Sequence, residues 1–384
     1  MKKIKALHLA SFAGNIGDIA NHQSFYHQLR KLDEFSFEIE ELEIRDFYKV
    51  NQIRKFDEDF VEFVNQHDLF IIGGGNFFEL CWDYSLTGTT FDISPEFLKK
   101  IKTPIFINAI GIDDNKGTSD LNIEKFKTFL DTIFKHNDVY FTVRNDGSQS
   151  IINKYFPEHT SLISTVPDWG FGLDEVEELK AYKTDNNNNT KSIGFNIAID
   201  MMELRYKKLN YEEFLESVTL HINKVLKETD YNIILFPHIQ SDYVPITDIL
   251  KMININFVRK RISIAPLLQG KELESFKLYK DCDMIFGMRF HANVCAIALG
   301  KPTYGILSYI KHNQLYDEIS MPHRKVDINE VNFKTKLASE VDRLISYNSS
   351  LNELVIEYQS VKDNLNKEMK KNLLNFRDFL KEVL

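Results

Sequence analysis

The sequence predicts an α/β protein of two consecutive doubly wound domains with parallel sheets, followed by a C-terminal helical segment. Three observations carry this reading: short β-branched and apolar runs alternate with longer amphipathic ones, the alternation stops at a polar Asn-rich stretch, and it then restarts. At 384 residues the chain has room for two domains, a domain being ordinarily about 100 to 200 residues. With 43% hydrophobic and 27% charged residues it can bury cores of that size.

In the first half the strand candidates are IKALHL (4–9), DLFIIG (68–73), TPIFIN (103–108), VYFTVR (139–144) and SLIS (161–164). Among the helical stretches between them, 122–136 places Phe126, Phe129, Leu130, Ile133 and Phe134 at helical spacing. KTDNNNNTKS, 183–192, is too polar to pack and reads as a linker or surface loop. The strands resume with SIGFNIAI (192–199), YNIILFP (231–237), RISIAP (261–266), DMIFGM (283–288) and PTYGIL (302–307). The expected domains are therefore 1–182 and 193–325, with helices over 326–384. In the last stretch Leu354, Tyr358, Val361 and Leu365 fall at helical spacing without Pro or Gly, which predicts one long scaffold helix or two shorter ones.

The net charge of −9, from 56 acidic and 47 basic residues without long single-sign blocks, argues against nucleic-acid or acidic-membrane binding. It leaves a small anionic substrate open, since a pocket needs only a few local cations. Cys81, Cys282 and Cys295 are scattered and odd in number, so neither a disulfide framework nor a metal site is indicated, and a reducing cytoplasm is expected. The start, MKKIKALHLASFAG, has lysines ahead of an apolar run, but the run is short and His8 interrupts it. It reads as a first strand rather than a leader. No run approaches the roughly 18 to 20 apolar residues that a membrane span needs.

Open α/β sheets bind ligands at the carboxyl ends of their strands, so the residues there matter most. The first strand runs into Gly14, Asn15, Gly17 and Asp18 ahead of a helix, a tight turn whose glycines and amides suit an anion. FIIGGGNFFEL places Gly73, Gly74, Gly75 and Asn76 after a buried strand, more glycine than a turn requires. No GxGxxG and no GxxxxGK[ST] occurs, which removes the main support for dinucleotide and P-loop readings. VYFTVRND delivers Arg144 to a strand end, where it either reaches a ligand or pairs with a carboxylate; Asp168 of PDWGF is a candidate partner or hydroxyl-binding group.

The fourth strand end is GMRFHANVCAIALGKP, 287–302, with Arg289 and His291 at the mouth of an apolar helix. Arg289 offers a fork of donors for carboxylate or phosphate, and His291 exchanges a proton near neutral pH. A lone histidine before a helix is usually a cap or a packed ring. Here His238 of PHIQSD, Lys311 and His312 also follow predicted strands, and that clustering argues for an anion site. Asp281 and Asp283 spell a DxD, but at the amino end of a strand, away from the expected site, so no metal is assigned to it.

These elements, in this order, resemble the polysaccharide pyruvyl transferase family. The resemblance lies in GNIGD (14–18), GGGN (73–76), VRND (143–146), PDWGF (167–171), PHIQSD (237–242) and GMRFHANVCAIALGKP (287–302), with YIKH (309–312) behind them, and it covers about residues 4–318. It implies two Rossmann-like domains, glycosyltransferase-B-like, an acceptor side in the first and a donor side in the second. It also implies phosphoenolpyruvate as co-substrate, with no cofactor and no metal, and a pyruvate ketal formed on a sugar of a cell-surface glycan or its lipid-linked precursor. The chain departs from the family pattern at FFELCWDYSLTG after the glycines and at NAIGIDDN, 108–115, positions expected to face the acceptor.

The chemistry fits these residues independently, because phosphoenolpyruvate carries a carboxylate and a phosphate, and ketal formation needs an acid, a base and anion stabilisation. Arg289 and Lys311 are assigned to the donor's anionic groups, with Arg144 from the first domain. His291 is the first choice for proton transfer and His238 the second. Asp18 and Asp168 are assigned to acceptor hydroxyls, with Gly14, Asn15, Gly74, Gly75 and Asn76 at the substrate. A cytoplasmic enzyme is expected, with peripheral contact at the inner membrane face where the acceptor is lipid-linked. The rival readings are a nucleotide-sugar glycosyltransferase of the same architecture and a non-catalytic glycan-binding relative.

Overall fold

A computed structural model describes residues 1–51, 53–183, 191–346 and 350–384. It divides the chain into two compact units, one of residues 1–13, 21–169 and 367–384, the other of 14–20 and 170–366. The division differs from the sequence expectation of a break at 182. The turn and first helical residues at 14–20 group with the second unit, and so does the segment 170–182. Of the expected linker, residues 184–190 lie outside the described residues.

The first unit holds a six-stranded parallel sheet. Its chain contributes β1 (Lys2–Ala10), β2 (Phe35–Glu43), β3 (Leu69–Gly73), β4 (Phe78–Glu79), β5 (Ile105–Ile110), β6 (Ile112–Asp113), β7 (Val139–Arg144) and β8 (Ile163–Val166). The sheet order is β2-β1-β3-β5-β7-β8, while β4 and β6 pair separately as a two-stranded parallel ribbon. Continuous apolar runs such as LFIIG and IFINAI are buried along their whole length, as a sheet covered on both faces requires. The helix Asp120–His136 covers it with Phe126, Phe129, Leu130 and Ile133 buried at the expected spacing; Ser119 caps it by accepting from the Asn122 amide. Strand β2 escaped the sequence reading because it is a half-exposed edge whose glutamates, Glu38, Glu40, Glu41 and Glu43, dilute its apolar signal.

The second unit repeats the plan with β9 (Ser192–Asn196), β10 (Asn232–Leu235), β11 (Ile262–Ile264), β12 (Met284–Gly287), β13 (Thr303–Leu307) and β14 (Lys325–Asp327). All pairs are parallel and the order is β11-β10-β9-β12-β13-β14, the Rossmann order. The three-residue edge strand β14 was also missed. Reversal of strand order marks the crevice where such sheets bind ligands. It falls between β1 and β3 in the first unit and between β9 and β12 in the second. Residues 11–15, 74–77, 197–200 and 288–291 follow those strands, so the glycine-rich and the G-x-R-x-H-A motifs both sit where the topology favours a site.

The last element is one 34-residue helix, Ser350–Val383. Leu354, Tyr358 and Leu365 are buried as their spacing predicts, and so are Phe376 and Leu380 beyond them. Phe376 stacks on Phe106 of β5, ring centroids 4.2 Å apart, and Asn372 accepts a hydrogen bond from Tyr140 at 2.7 Å.

Candidate active site

In the second unit four strand-end loops are tied together by charge. Arg289 precedes the helix Phe290–Ala298, and its amide donates to the Asn196 side chain at the end of β9, 2.9 Å. Its guanidinium grips Asp242 with two bonds of 2.8 and 2.5 Å and donates to Asp200 at 2.8 Å. Asp200 also pairs with Arg205, 3.1 Å, whose other nitrogen donates to Ser308 after β13. Asp242 in turn accepts from the amides of His238 and Ile239, fixing the loop after β10. Two arginines and two carboxylates thus neutralise each other.

Desolvation opposes this ionisation and the partners outweigh it. Burial pushes the Arg289 pKa down, but its hydrogen bonds and the charges of Asp242 and Asp200 hold it above the ordinary value. Burial likewise works to raise Asp200, yet Arg289 and Arg205 hold it below the usual carboxylate range. Arg289 does not lie open to a ligand anion as expected: with 11% of its side chain exposed, the guanidinium takes its counter-charges from the chain itself, and an anion binds it only by displacing one of them. Asp242 is fully buried, whereas Asp200 keeps 26% of its side chain exposed.

The structure brings Asp18 and His291 together. An Asp18 oxygen lies 3.4 Å from Nδ1 of His291, and both side chains are largely buried. The approach depends on Gly17, where a Cβ would sit 2.4 Å from the His291 Cβ. Asn15 stabilises the same turn by accepting from the Gly17 amide, and the Ile16 amide donates to the His238 carbonyl. The exposed Gly14 completes it with φ +75°. Lys311, also buried, lies in the first turn of the helix Ile310–Glu318. The ring of Phe290 is 6.0 Å from that of His312, so the starts of these two helices adjoin.

His238 is corrected from a proton-transfer candidate to a packed ring. It is fully buried with Nε2 2.8 Å from the Tyr279 hydroxyl, and burial, then the charges of Arg289 and His291, hold its pKa well below the ordinary value. Asp281 and Asp283 are likewise spent: one accepts from the Tyr182 hydroxyl, the other from the Ser192 amide. No group of three or more His, Cys, Asp or Glu among the described residues is placed to hold a metal ion.

In the first unit Arg144 and Asp168 prove to be partners. Arg144 donates to Asp146 at 2.5 Å and lies 3.5 Å from Asp168, all three buried. Asp168 also accepts from Asn21 at 2.8 Å. Neither is presented to a substrate, because a buried charge at a strand end is stable only when paired, and this corrects the assignment of Arg144 to donor and Asp168 to acceptor. Gly74, at φ +82°, leaves room for Asn21 and His22 to approach, its imaginary Cβ lying 2.8 and 2.7 Å from them. Gly75 accepts from the Gly111 amide, and Asn76 donates to Asp113 at 2.5 Å. The triple glycine therefore serves close backbone packing, and Asn76 turns toward the NAIGIDDN segment. Beside it, Ala109 adopts φ 43° at a bulge in β5, held by hydrogen bonds to Thr142.

Sequence reasoning missed Asp200, Asp242 and Arg205. Asp242 stands in the PHIQSD motif and Asp200 one turn beyond β9, so the strand-end rule that selected Arg289 would have found both.

Comparison with known proteins agrees with the fold. A Staphylococcus aureus MnaA–UDP co-structure is similar with TM-score 0.57 and 10% identity, covering 92% of this chain and 91% of that one. A Rickettsia africae glycosyltransferase has TM-score 0.57 and 11% identity, covering 100% and 99%. UDP-GlcNAc 2-epimerase from Neisseria meningitidis, bound to UDP-GlcNAc, has TM-score 0.55 and 10% identity, covering 96% and 100%. At such identities the likeness establishes a glycosyltransferase-B-like fold of two Rossmann-like domains and nothing about substrate. No curated protein matches the chain. No helix among the described residues is long and apolar enough to cross a membrane. The family described as polysaccharide pyruvyl transferase matches residues 15–309, a span that begins in the GNIGD turn and ends just past β13, and the chain belongs to that family of transferases.

Proposed function

We propose that this protein transfers the enolpyruvyl group of phosphoenolpyruvate to two hydroxyls of one sugar, forming a pyruvate ketal on a glycan or its precursor. The observation that carries the reading is the Asp18–His291 pair: two segments of the family motif, 273 positions apart, meet as a carboxylate and an imidazole 3.4 Å apart. In such a pair the carboxylate orients the ring for proton transfer. In the reaction one sugar oxygen bonds to C2 of the donor while C3 gains a proton. The second oxygen then replaces phosphate at C2. One hydroxyl proton ends on the new methyl group and the other on the departing phosphate.

We assign His291 to delivering the proton to C3, with Asp18 orienting the ring through Nδ1. The donor's phosphate falls to Lys311 and the amide end of the helix Phe290–Ala298, a combination suited to an anion. Its carboxylate takes the place of Asp200 on Arg289, while Asp242 stays and keeps the guanidinium aimed. Phosphate release from phosphoenolpyruvate, measured against a panel of glycoside acceptors, tests the proposal. Acceptor-dependent release that vanishes in His291→Ala is the expected outcome. Inertness with phosphoenolpyruvate, together with thermal stabilisation by UDP-sugars, would replace it with the nucleotide-sugar reading.

A further inference from the structure

The stretch that departs from the family pattern, FFELCWDYSLTG, builds a surface that the reaction chemistry above does not use. It follows β3 on the first unit's sheet, at the carboxyl end where such sheets bind ligands. Trp82 and Tyr84 meet there edge to face, ring centroids 5.7 Å apart at 60°, and Tyr84 is 37% exposed. Lys116 stands 5.5 Å over the Trp82 ring and pairs with Glu79 at 2.8 Å; Asn76 links Glu79 to Asp113. Apolar ring faces beside a carboxylate, an amide and an ammonium are what a sugar ring needs, C–H groups on the aromatic face and hydroxyls on the polar groups.

Two further observations separate a binding surface from ordinary packing. The indole Nε1 of Trp82 is shielded from water and has no hydrogen-bond partner among the described residues, an unfavourable arrangement unless something supplies an acceptor. The loop is also held rigid from behind. Trp82 exchanges backbone bonds with Gly88 and Ser85, and Thr87 and Thr90 anchor the turn by donating to the Phe91 and Phe77 carbonyls. Gly88, at φ +72°, has the Asn122 carbonyl 2.9 Å from where its Cβ would be, so the turn admits no side chain. Asp83 is fixed by Asn122 at 2.8 Å. A prepositioned aromatic pair with a missing acceptor is a preorganised site.

The charge around it selects the ligand. Glu79, Asp83, Asp92, Asp113 and Asp114 are nearly balanced by Lys49, 4.9 Å over the Tyr84 ring, Lys116, Lys125 and Lys154, so the surface carries little net charge and suits a neutral polyol. We infer that Trp82 and Tyr84 form a platform for an uncharged pyranose ring, with Glu79, Asp113, Asn76 and Lys116 reading its hydroxyls. Calling that sugar the acceptor rests on the function proposed above; the binding itself does not.

The test is saturation-transfer NMR and tryptophan fluorescence with methyl glycosides of glucose, galactose, mannose and N-acetylglucosamine, without phosphoenolpyruvate. At least one glycoside is expected to bind, with binding lost in Trp82→Ala, weakened about tenfold in Tyr84→Ala and retained in Trp82→Phe. Tyr84 is exposed, so its variant remains informative even where Trp82→Ala fails to fold. Absence of binding by all four glycosides, or wild-type binding in both folded Ala variants, overturns the platform. Glycoside binding through Trp82 without any phosphate release would sink only the pyruvyl-transfer reading. Acceptor-dependent release that folded Trp82→Ala leaves unchanged would sink only the platform.

Discussion

The carboxylate of Asp18 and the imidazole of His291 lie 3.4 Å apart because Gly17 gives the helix start at 290 nothing to collide with. His291→Ala is expected to lower acceptor-dependent phosphate release by about 100-fold or more, the scale of general acid–base catalysis. Asp18→Asn should cost less. Equal rates in wild type and His291→Ala would remove the ring from the mechanism.

Gly17→Ala should be damaging through shape alone. Its Cβ would fall 2.4 Å from an atom fixed to the His291 backbone, which a rotamer change cannot move. Overpacking of this kind costs roughly 1 to 3 kcal/mol. Urea unfolding reads that loss, and phosphate release should fall with it.

Arg289 has one buried and one half-open counter-ion, and the two should behave in opposite ways. Asp242→Ala leaves a buried guanidinium short of charge and should cost about 3 to 5 kcal/mol of stability. Asp200→Asn also takes the counter-ion from the buried Arg205 and so should lose some stability, yet it should tighten phosphoenolpyruvate binding roughly tenfold, about 1.4 kcal/mol. Calorimetry decides it; weaker binding in Asp200→Asn would show that the donor does not seat on Arg289.

Two of the buried histidines, His8 and His238, set an acid limit on stability. Burial, with the charge of His22 nearby, holds His8 well below the ordinary histidine value, and burial with Arg289 and His291 does so for His238. Both stay neutral in the fold and gain protons on unfolding. Above the unfolded value of about 6.5 they make no difference, and below it they destabilise progressively. Unfolding midpoints measured between about pH 7.5 and pH 5 should fall on acidification, and His238→Gln should flatten that fall. An unchanged slope would assign the acid sensitivity elsewhere.

Much of this molecule was legible in the chain. All ten proposed strands exist: most are interior strands that read as apolar runs, and the edges β8 and β11 keep a short one, whereas the edges β2 and β14 carry none. The pairing of Asp18 with His291 could be guessed only as membership in one site, since neither residue advertises a partner so distant in sequence. The commitments of Arg289 and Arg144 were less visible. A guanidinium that neutralises carboxylates within the fold and one that awaits a ligand look identical in sequence, and only the loops after β9, β10 and β7 decide between them. Trp82 and Tyr84 stood in the sequence as a mere departure from a pattern, because aromatic residues near a strand end are as often core as surface.

Residues 367–384 belong with the first unit, and Phe376 stacks on Phe106 within its sheet. A nascent chain emerging from the ribosome therefore cannot complete its earliest-made sheet when the strands of that sheet have been translated. The stretch around Phe106 must wait while some 260 further residues are synthesised, a separation of the kind that slows folding. Until then the Phe106 face lacks part of its cover, and vectorial synthesis leaves that apolar ring open to chaperones.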